Sequence, residues 1–422
     1  MKNILIVSNS LPYPLNAGGN IGVFEMINHF RQKYNITFVF PSYKVNKNHI
    51  QELKALWPNV NILPFEQTIT IKKRMSNYIY YRIQHLYYKL TFSRFFSYHA
   101  WIDKNTILIK NVLKFYPHIS DKAFIKYVIS LVECNSFDLI QAEFYSNISL
   151  PIFLKKKHPI IFIHHELFYV RIRRELNLIA PNDIYLNTIC ELQERYELSM
   201  LKQFDKVVTV SDHDKILLSE YIDDENLYSS PLAIQIGERK NSSDYIFNNI
   251  LTFLGGGSHY PNKDGVVWFL KNCFPLLKAK YPALKFHIIG SWDESVIKTL
   301  ASEDVIFYGF TPNLENALYN SISIVPIRIG SGMRMKIIDA INHGIPFVTT
   351  SVGVEGLDFK DNYDCFIGDT DIDFVEKISE LIQNTYLQNS FIKQSMNTLQ
   401  RLYSFDSAIE KRQQLYNSIL SE

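Results

Sequence analysis

The sequence predicts an α/β protein of two doubly wound parallel-sheet domains facing a cleft, and three observations carry that prediction. Short apolar runs ending in polar residues alternate with helical stretches, once in the first half of the chain and again in the second. A polar stretch at residues 223–249, DDENLYSSPLAIQIGERKNSSDYIFNN, separates the two series and sets a boundary near residues 237–243. Glycine-bearing loops follow strands in both halves, and ligands of open parallel sheets collect at the carboxyl ends of strands. The expected division is 1–240 for a first Rossmann-like domain, 241–404 for a second, and 405–422 for an amphipathic helix packed back on the body.

KNILIVS, residues 2–8, reads as a buried parallel strand. A loop ending in AGGN, a helix over about 21–30 and the strand NITFVF follow, which makes a βαβ opening. Gly18 and Gly19 stand before that helix. There glycine lets backbone amides approach a phosphate or a sugar, and it equally suits a plain turn. From residue 54 to about 130 the alternation is lost, and the segment reads as a helical insert. In it Lys72, Lys73, Arg74, Arg82, Lys89 and Arg94 are interleaved with Tyr and Phe. Such a pattern suits an anionic membrane surface or a solvated helix face with its aromatics turned inward. Alternation resumes with FDLIQAEF, PIIFIHHE and KVVTVS, whose polar ends make Glu143, His164, His165, Glu166 and Ser211 candidate cleft residues. Two adjacent histidines with no third ligand at suitable spacing are not a metal motif. One of them is expected in catalysis or substrate binding, and a histidine in such a place is otherwise a hydrogen-bonded structural residue.

The second series runs through ILTFL, the loop GGGSHYPN, a helix from about 264, LKFHIIG, and strand–helix pairs up to residue 319. The loop at Gly255, Gly256 and Gly257 is not GxGxxG, and no acid about 20 residues on suits a dinucleotide ribose, which excludes a nicotinamide cofactor. DTDID at residues 369–373 matches a metal motif only as a string and reads as a helix cap. The focus of the chain is PIRIGSGMRMKIIDAINHG, residues 326–344. A buried strand gives way at Arg328 to a turn of Gly330, Ser331 and Gly332. A helix follows with Met335, Ile338 and Ile341 on its core face and Gly344 at its end. Arg334 and Lys336 lie in its first turn, where the helix dipole disfavours cations. A phosphate at that helix N-terminus resolves the conflict.

With 422 residues, 47% hydrophobic and 20% charged, the chain can bury two cores. A formal net charge of +2 gives no global case for nucleic acid. Four scattered cysteines without a CxxC fit reduced thiols. No apolar run reaches the roughly 18 residues of a membrane span, and ILIV is too short for a signal-peptide core. The expected location is the cytoplasm, with peripheral contact to the inner face of the membrane through the aromatic basic insert.

FLGGGSHYPNKDGVVWFLKNCFPLL, KFHIIGS, VIFYGF and VPIRIGSGMRMKIIDAINHGIPFVTTSVGVEGL resemble the carboxyl half of the GT-B glycosyltransferases of family 4 (group 1), in a GSGxRxK subgroup. SNSLPYPLNAGGN, FIHHE and KVVTVSDHDK resemble the acceptor domain of that family more loosely. The resemblance implies retaining transfer from a nucleotide-sugar donor to a glycan or lipid-linked acceptor, in surface polysaccharide or glycoconjugate biosynthesis, with no cofactor and no obligate metal. It implies that Arg334 and Lys336 neutralise the diphosphate as the glycosidic bond breaks, helped by the amides of Ser331, Gly332 and Met333. Gly18, Gly19, Gly256 and Gly330 would let backbone approach the donor. Asp339 would accept hydrogen bonds from the ribose hydroxyls. It stands where the family carries the second of two glutamates eight residues apart, and Ser331 stands at the first. His165 is favoured over His164 because HE occupies the place where HD is common, with a role in binding the donor sugar or positioning the acceptor. Glu355, in GVEGL, is expected to reach the donor or to cap its loop, and His164, Glu166 and Glu143 are acceptor-side candidates. Two alternatives share the diphosphate site: a sugar-nucleotide epimerase, hydrolase or phosphorylase, and a non-catalytic sugar-nucleotide-binding subunit.

Overall fold

A computed structural model of the chain describes residues 1–15, 18–42, 46–66, 120–154, 157–237, 245–311 and 313–421. Among them two parallel sheets form, each flanked by helices, as expected. The first has the order β3-β2-β1-β4-β5-β6-β7. Its strands are β1 (Asn3–Val7), β2 (Asn35–Ser42), β3 (Asn61–Glu66), β4 (Leu139–Glu143), β5 (Ile160–His164), β6 (Lys206–Thr209) and β7 (Leu227–Ser229). The second has the order β10-β9-β8-β11-β12-β13. It comprises β8 (Ile250–Leu254), β9 (Lys285–Ile289), β10 (Val305–Gly309), β11 (Ile322–Val325), β12 (Phe347–Thr349) and β13 (Phe366–Ile367). Central strands such as β4, β5 and β11 are buried at every residue, because helices cover both faces, so they read as continuous apolar runs. The strand order reverses between β1 and β4 in the first sheet and between β8 and β11 in the second. The crevice outside the carboxyl ends of those strands is where a doubly wound sheet binds its ligand.

Eight helices matter for the site: α1 (Gly18–Phe30), α2 (Lys122–Cys134), α3 (Phe168–Ile179), α4 (Ile184–Leu201), α5 (Asp212–Ser219), α6 (Tyr260–Trp268), α7 (Met335–Asn342) and α8 (Phe405–Leu420). α8 returns to the first domain. The Tyr416 ring lies 5.0 Å from Phe30 and 5.6 Å from Tyr34, and Arg412 Nε donates to Ser230 Oγ at 3.2 Å.

Three elements differ from the sequence expectation. α1 begins at Gly18, so the glycine pair forms its first turn instead of a preceding loop. Residues 61–66, expected within the helical insert, form strand β3 against β2. The basic aromatic run from Lys72 to Arg94 lies outside the described residues. The polar stretch 223–249 contains β7, a three-residue edge strand too short to show periodicity.

Candidate active site

The two switch points face each other, and glycine is what lets their loops touch. A Cβ on Gly18 would collide with the Met335 side chain at the start of α7. Gly332 has φ +77°, and a Cβ there would collide with the carbonyl oxygen of His165. Ser331 is buried in this contact; its Oγ accepts from Leu167 N at 2.6 Å and donates to Leu167 O at 3.3 Å. Arg174, on α3, reaches across to the carbonyl of Gly330 and pairs bidentately with Glu355 at 2.7 and 2.6 Å. His213 Nε2 lies 3.4 Å from the same carboxylate. The Ser331 hydroxyl is spent on the backbone of the first domain, while the role expected of Ser331 belongs to its amide. The Glu355 carboxylate is the anionic half of an interdomain clasp, and the Glu355 N–H closes the short helix before it on the carbonyl of Ser351.

The adjacent histidines separate cleanly. His164 is 1% exposed and its Nε2 lies 2.8 Å from Glu197 Oε1, while the Glu197 carboxylate also accepts from Phe168 N and Tyr169 N at the start of α3. This histidine is a core residue that helps anchor a helix N-terminus, so its expected acceptor-side role is withdrawn. His165 turns the other way, because successive side chains at a strand end alternate. Its Nε2 lies 2.7 Å from Glu143 Oε2, and its ring stacks on Phe144 at 4.1 Å and 15°. Phe144 holds φ +65°, a strained value for a bulky residue and one found where function requires it. A Cβ on Gly19 would stand 3.5 Å from His165 Nδ1, so that nitrogen faces the glycine turn of α1. Nδ1 is buried and has no hydrogen-bond partner. Glu143 is 3% exposed and sits behind His165; it supports the imidazole and does not line the acceptor side. Glu166 pairs with Arg171 at 3.2 Å and approaches Gly330. Ser211 is buried and accepts from Asp214 N as the N-cap of α5.

On the opposite wall, Lys336 Nζ donates to Asn262 Oδ1 at 2.5 Å and stands 4.3 Å from the centroid of the Phe253 ring. It also borders the β8 loop, 3.1 Å from where a Cβ on Gly255 would be. Gly256 in that loop accepts from Asn262 Nδ2 at 2.9 Å, so Asn262 bridges loop and lysine. Among the described residues no carboxylate lies within ion-pair distance of Lys336. Burial and then the neighbouring Arg334 push its ammonium down to about 7, with Asp339 opposing. Burial lifts Asp339 to about 6, with Lys336 opposing. Arg334 caps the start of α7 but is used internally: its guanidinium donates to the carbonyls of Ser331, Gly332 and Val352. Met333 is partly buried against the core. His259 stands exposed at the N-cap of α6.

The chain reading missed Arg174, Asn262, His259 and the Phe144 strain. Arg174 and Asn262 act through partners distant in sequence, and a single chain carries no signal for that. His259 and Asn262 lie inside the glycine loop already noted, so a polar residue following a strand-end glycine run was the available cue. In the DTDID string, Asp369 binds Ser351 and Thr370 caps the following helix. Among the described residues no group of three His, Cys, Asp or Glu gathers as a metal site.

Residues 248–384 match the family model described as glycosyl transferases group 1. The chain is 21% identical to an uncharacterized 44.6 kDa protein in the cps region of Klebsiella pneumoniae, over 91% of this chain and 92% of that one. Among solved structures it is similar to TarM of S. aureus in complex with fondaparinux, alpha-GlcNAc-glycerol and UDP (14% identity, TM-score 0.66, covering 99% of this chain and 100% of that one). It is also similar to HepE of Anabaena in complex with UDP (11%, 0.64, 99% and 100%) and to sucrose-phosphate synthase of Thermosynechococcus elongatus (12%, 0.66, 100% and 100%). At such identities the likeness establishes the fold, which is GT-B.

Proposed function

We propose that the chain is a retaining glycosyltransferase that moves a sugar from a nucleotide-sugar donor to a glycan or lipid-linked acceptor in surface polysaccharide or glycoconjugate biosynthesis. The observation that carries this is Lys336, a half-buried cation held by an amide oxygen and a ring face, beside a glycine loop at the switch point of the second sheet. A diphosphate is the anion such a site fits. Its two phosphates would lie against the β8 loop and the first turn of α7, whose N–H groups have no helical acceptor. As the glycosidic bond breaks, negative charge grows on the leaving diphosphate, and a fixed cation there lowers the barrier without a metal. Arg334 shapes the loop, Asp339 accepts from the ribose, and His165 binds the donor sugar from the opposite wall. The match of residues 248–384 to group 1 glycosyltransferases supports the same assignment.

The test is a thermal-shift screen of UDP, GDP, dTDP and CMP sugars, followed by NMR of the product anomer with the donor that binds. Binding with transfer and retention supports the proposal. Binding without transfer to any acceptor and without slow donor hydrolysis moves the chain to the binding-subunit alternative. EDTA treatment that abolishes transfer would refute metal independence. The acceptor's membrane location rests on the basic aromatic segment, and sedimentation with anionic liposomes at low salt tests it.

A further inference from the structure

A groove of about 590 Å³ opens at the amino ends of β1, β2 and β3, at the opposite end of the first sheet from the cleft. β2 is 8 residues long, so at about 3.3 Å per residue its two ends stand roughly 23 Å apart. The volume lies within the range of ligand pockets. The first residue of each of the three strands is an asparagine, and Asn3, Asn35 and Asn61 all line the groove. The strands are parallel and adjacent, so these amides form a row along one end of the sheet. Asn35 Nδ2 donates to Asn3 Oδ1 at 3.0 Å and Asn3 Nδ2 to Ser136 O at 3.2 Å, which orients two of them. From α2 come Tyr127, Leu131 and Asn135, at the four-residue spacing that puts side chains on one helix face. The Tyr127 ring lies 5.3 Å from Phe65, which supports it from behind. Among the described residues the Asn61 amide, Thr37 Oγ1 and the Tyr127 hydroxyl have no hydrogen-bond partner.

The lining selects the chemistry of its ligand. Among the described residues that line the groove none is charged, so nothing there offsets the desolvation of a phosphate, a carboxylate or an anionic lipid headgroup. An amide offers donors and an acceptor side by side, and a sugar hydroxyl is likewise both donor and acceptor. Leu63, Leu131 and Tyr127 place apolar surface beside the amides, as the C–H face of a sugar ring requires. A protein partner fits less well. Its interface is organised around a desolvated aromatic or arginine anchor, whereas Asn35, Asn61 and Asn135 are exposed amides.

We propose that this groove is a second carbohydrate site, which binds a neutral oligosaccharide and tethers a growing glycan at a distance from the cleft. The binding is independent of any reaction, while the tethering rests on the glycosyltransferase reading above. A glycan long enough to reach both places is held at both, and the contact in the groove raises its effective concentration at the cleft. Long acceptors are then preferred over short ones that occupy the cleft alone.

The experiment applies the full chain to an array of short and long oligosaccharides, neutral and acidic, and titrates the bound ones by calorimetry. Wild type should bind neutral members. Asn61→Ala and Asn35→Ala, both at exposed positions, should each weaken that binding about tenfold and leave affinity for the nucleoside diphosphate chosen by the thermal-shift screen within about twofold. With a donor and acceptor in hand, both variants should lose turnover on a long acceptor and keep it on a short one. Three results overturn the proposal: no neutral oligosaccharide bound, binding confined to acidic ones, or equal binding by wild type and both variants. Self-association of the purified chain that Asn61→Ala abolishes also overturns it, because a second copy is then the occupant. Binding that depends on Asn61 and Asn35, with no sugar nucleotide turned over, removes the glycosyltransferase assignment and leaves the site standing. Equal loss of turnover on long and short acceptors overturns the tethering.

Discussion

Binding of a nucleoside diphosphate should draw a proton onto Lys336. Desolvation holds the free ammonium at about 7 against its ordinary value of 10.5, so at pH 8 about one site in ten is charged. Its surroundings are Asn262, the Phe253 ring, Arg334 and Asp339, and none supplies a paired carboxylate. A diphosphate laid against Nζ favours the charged form and raises its pKa. The competent fraction of the free protein then falls with pH, and apparent affinity falls with it. Between pH 7 and pH 9 that fraction drops about 50-fold, and Kd should rise by the same factor. The ligand does not confuse the measurement, because a terminal phosphate with a pKa of about 6 is fully ionised above pH 7.5. Asp339, at about 6, is ionised there too. Isothermal titration of UDP, or of the diphosphate that the thermal-shift screen selects, in two buffers of different ionisation enthalpy should give close to 0.9 protons taken up at pH 8. Lys336→Met should bind weakly at every pH with no uptake. Tight binding of the diphosphate to wild type with less than about 0.2 protons taken up would refute the reasoning.

Other perturbations separate clasp from chemistry. Gly332→Ala meets both a left-handed φ and the His165 carbonyl, and should lower stability by about 1–3 kcal/mol in denaturant melts. Ser331→Ala leaves the buried Leu167 N–H unpaired and should cost about 1–3 kcal/mol, with unchanged preference among donor sugars in competition assays. Lost sugar selectivity at unchanged stability would return Ser331 to the donor site. Glu175 is fully buried with both oxygens unpartnered, and burial lifts it to about 7 from 4.5, with Arg171 opposing. Its folded form holds a proton that the unfolded chain has released, so stability is full below pH 4.5 and is lost as pH rises through 7. Glu175→Met should therefore raise Tm at pH 8 and change it little at pH 4.5, and equal shifts at both pH values would exclude this. His165→Ala should reduce turnover by at least tenfold while diphosphate affinity stays within about twofold, read by steady-state kinetics and titration.

The parts legible in the sequence are those fixed by local pattern. The buried strands β1, β4, β5 and β8 are continuous apolar runs with polar ends, and α7 declares itself through Ile338, Ile341 and the Gly344 terminus. Even so, α1 absorbed the glycine pair expected in a loop, because glycine is tolerated in a first turn whose closest neighbour, Met335, leaves no room for a side chain. Strands β7 and β13, of three and two residues, carry no periodicity to read. In the site, local chemistry identified Lys336 as a cation in the wrong part of a helix, and the strand end identified the histidine pair. Which histidine faces the cleft depended on Glu197 and Glu143, residues that only the fold brings near. The same holds for Glu355, whose partner Arg174 lies 181 residues away.

These long-range partners also explain the charge pattern of the cleft. Arg174 is neutralised by Glu355, Arg171 by Glu166, and Arg328 by Asp264 at 2.7 Å. Among the described residues Arg334 has no carboxylate in contact, and its terminal nitrogens donate to carbonyls of the loop and of Val352. Each of these guanidinium groups holds protein to protein, a task suited to a planar fork of donors. The ammonium of Lys336 is different in kind. It is a compact, half-buried charge set against an amide and a ring, a partly desolvated state that an arriving anion relieves. Under the proposed function, that division assigns affinity for the leaving group to the second domain, on one side chain. Recognition of the sugar is then assigned to His165 across the cleft, because the hydroxyl of Ser331, at the position where the family it resembles carries a carboxylate, is occupied in joining the two walls.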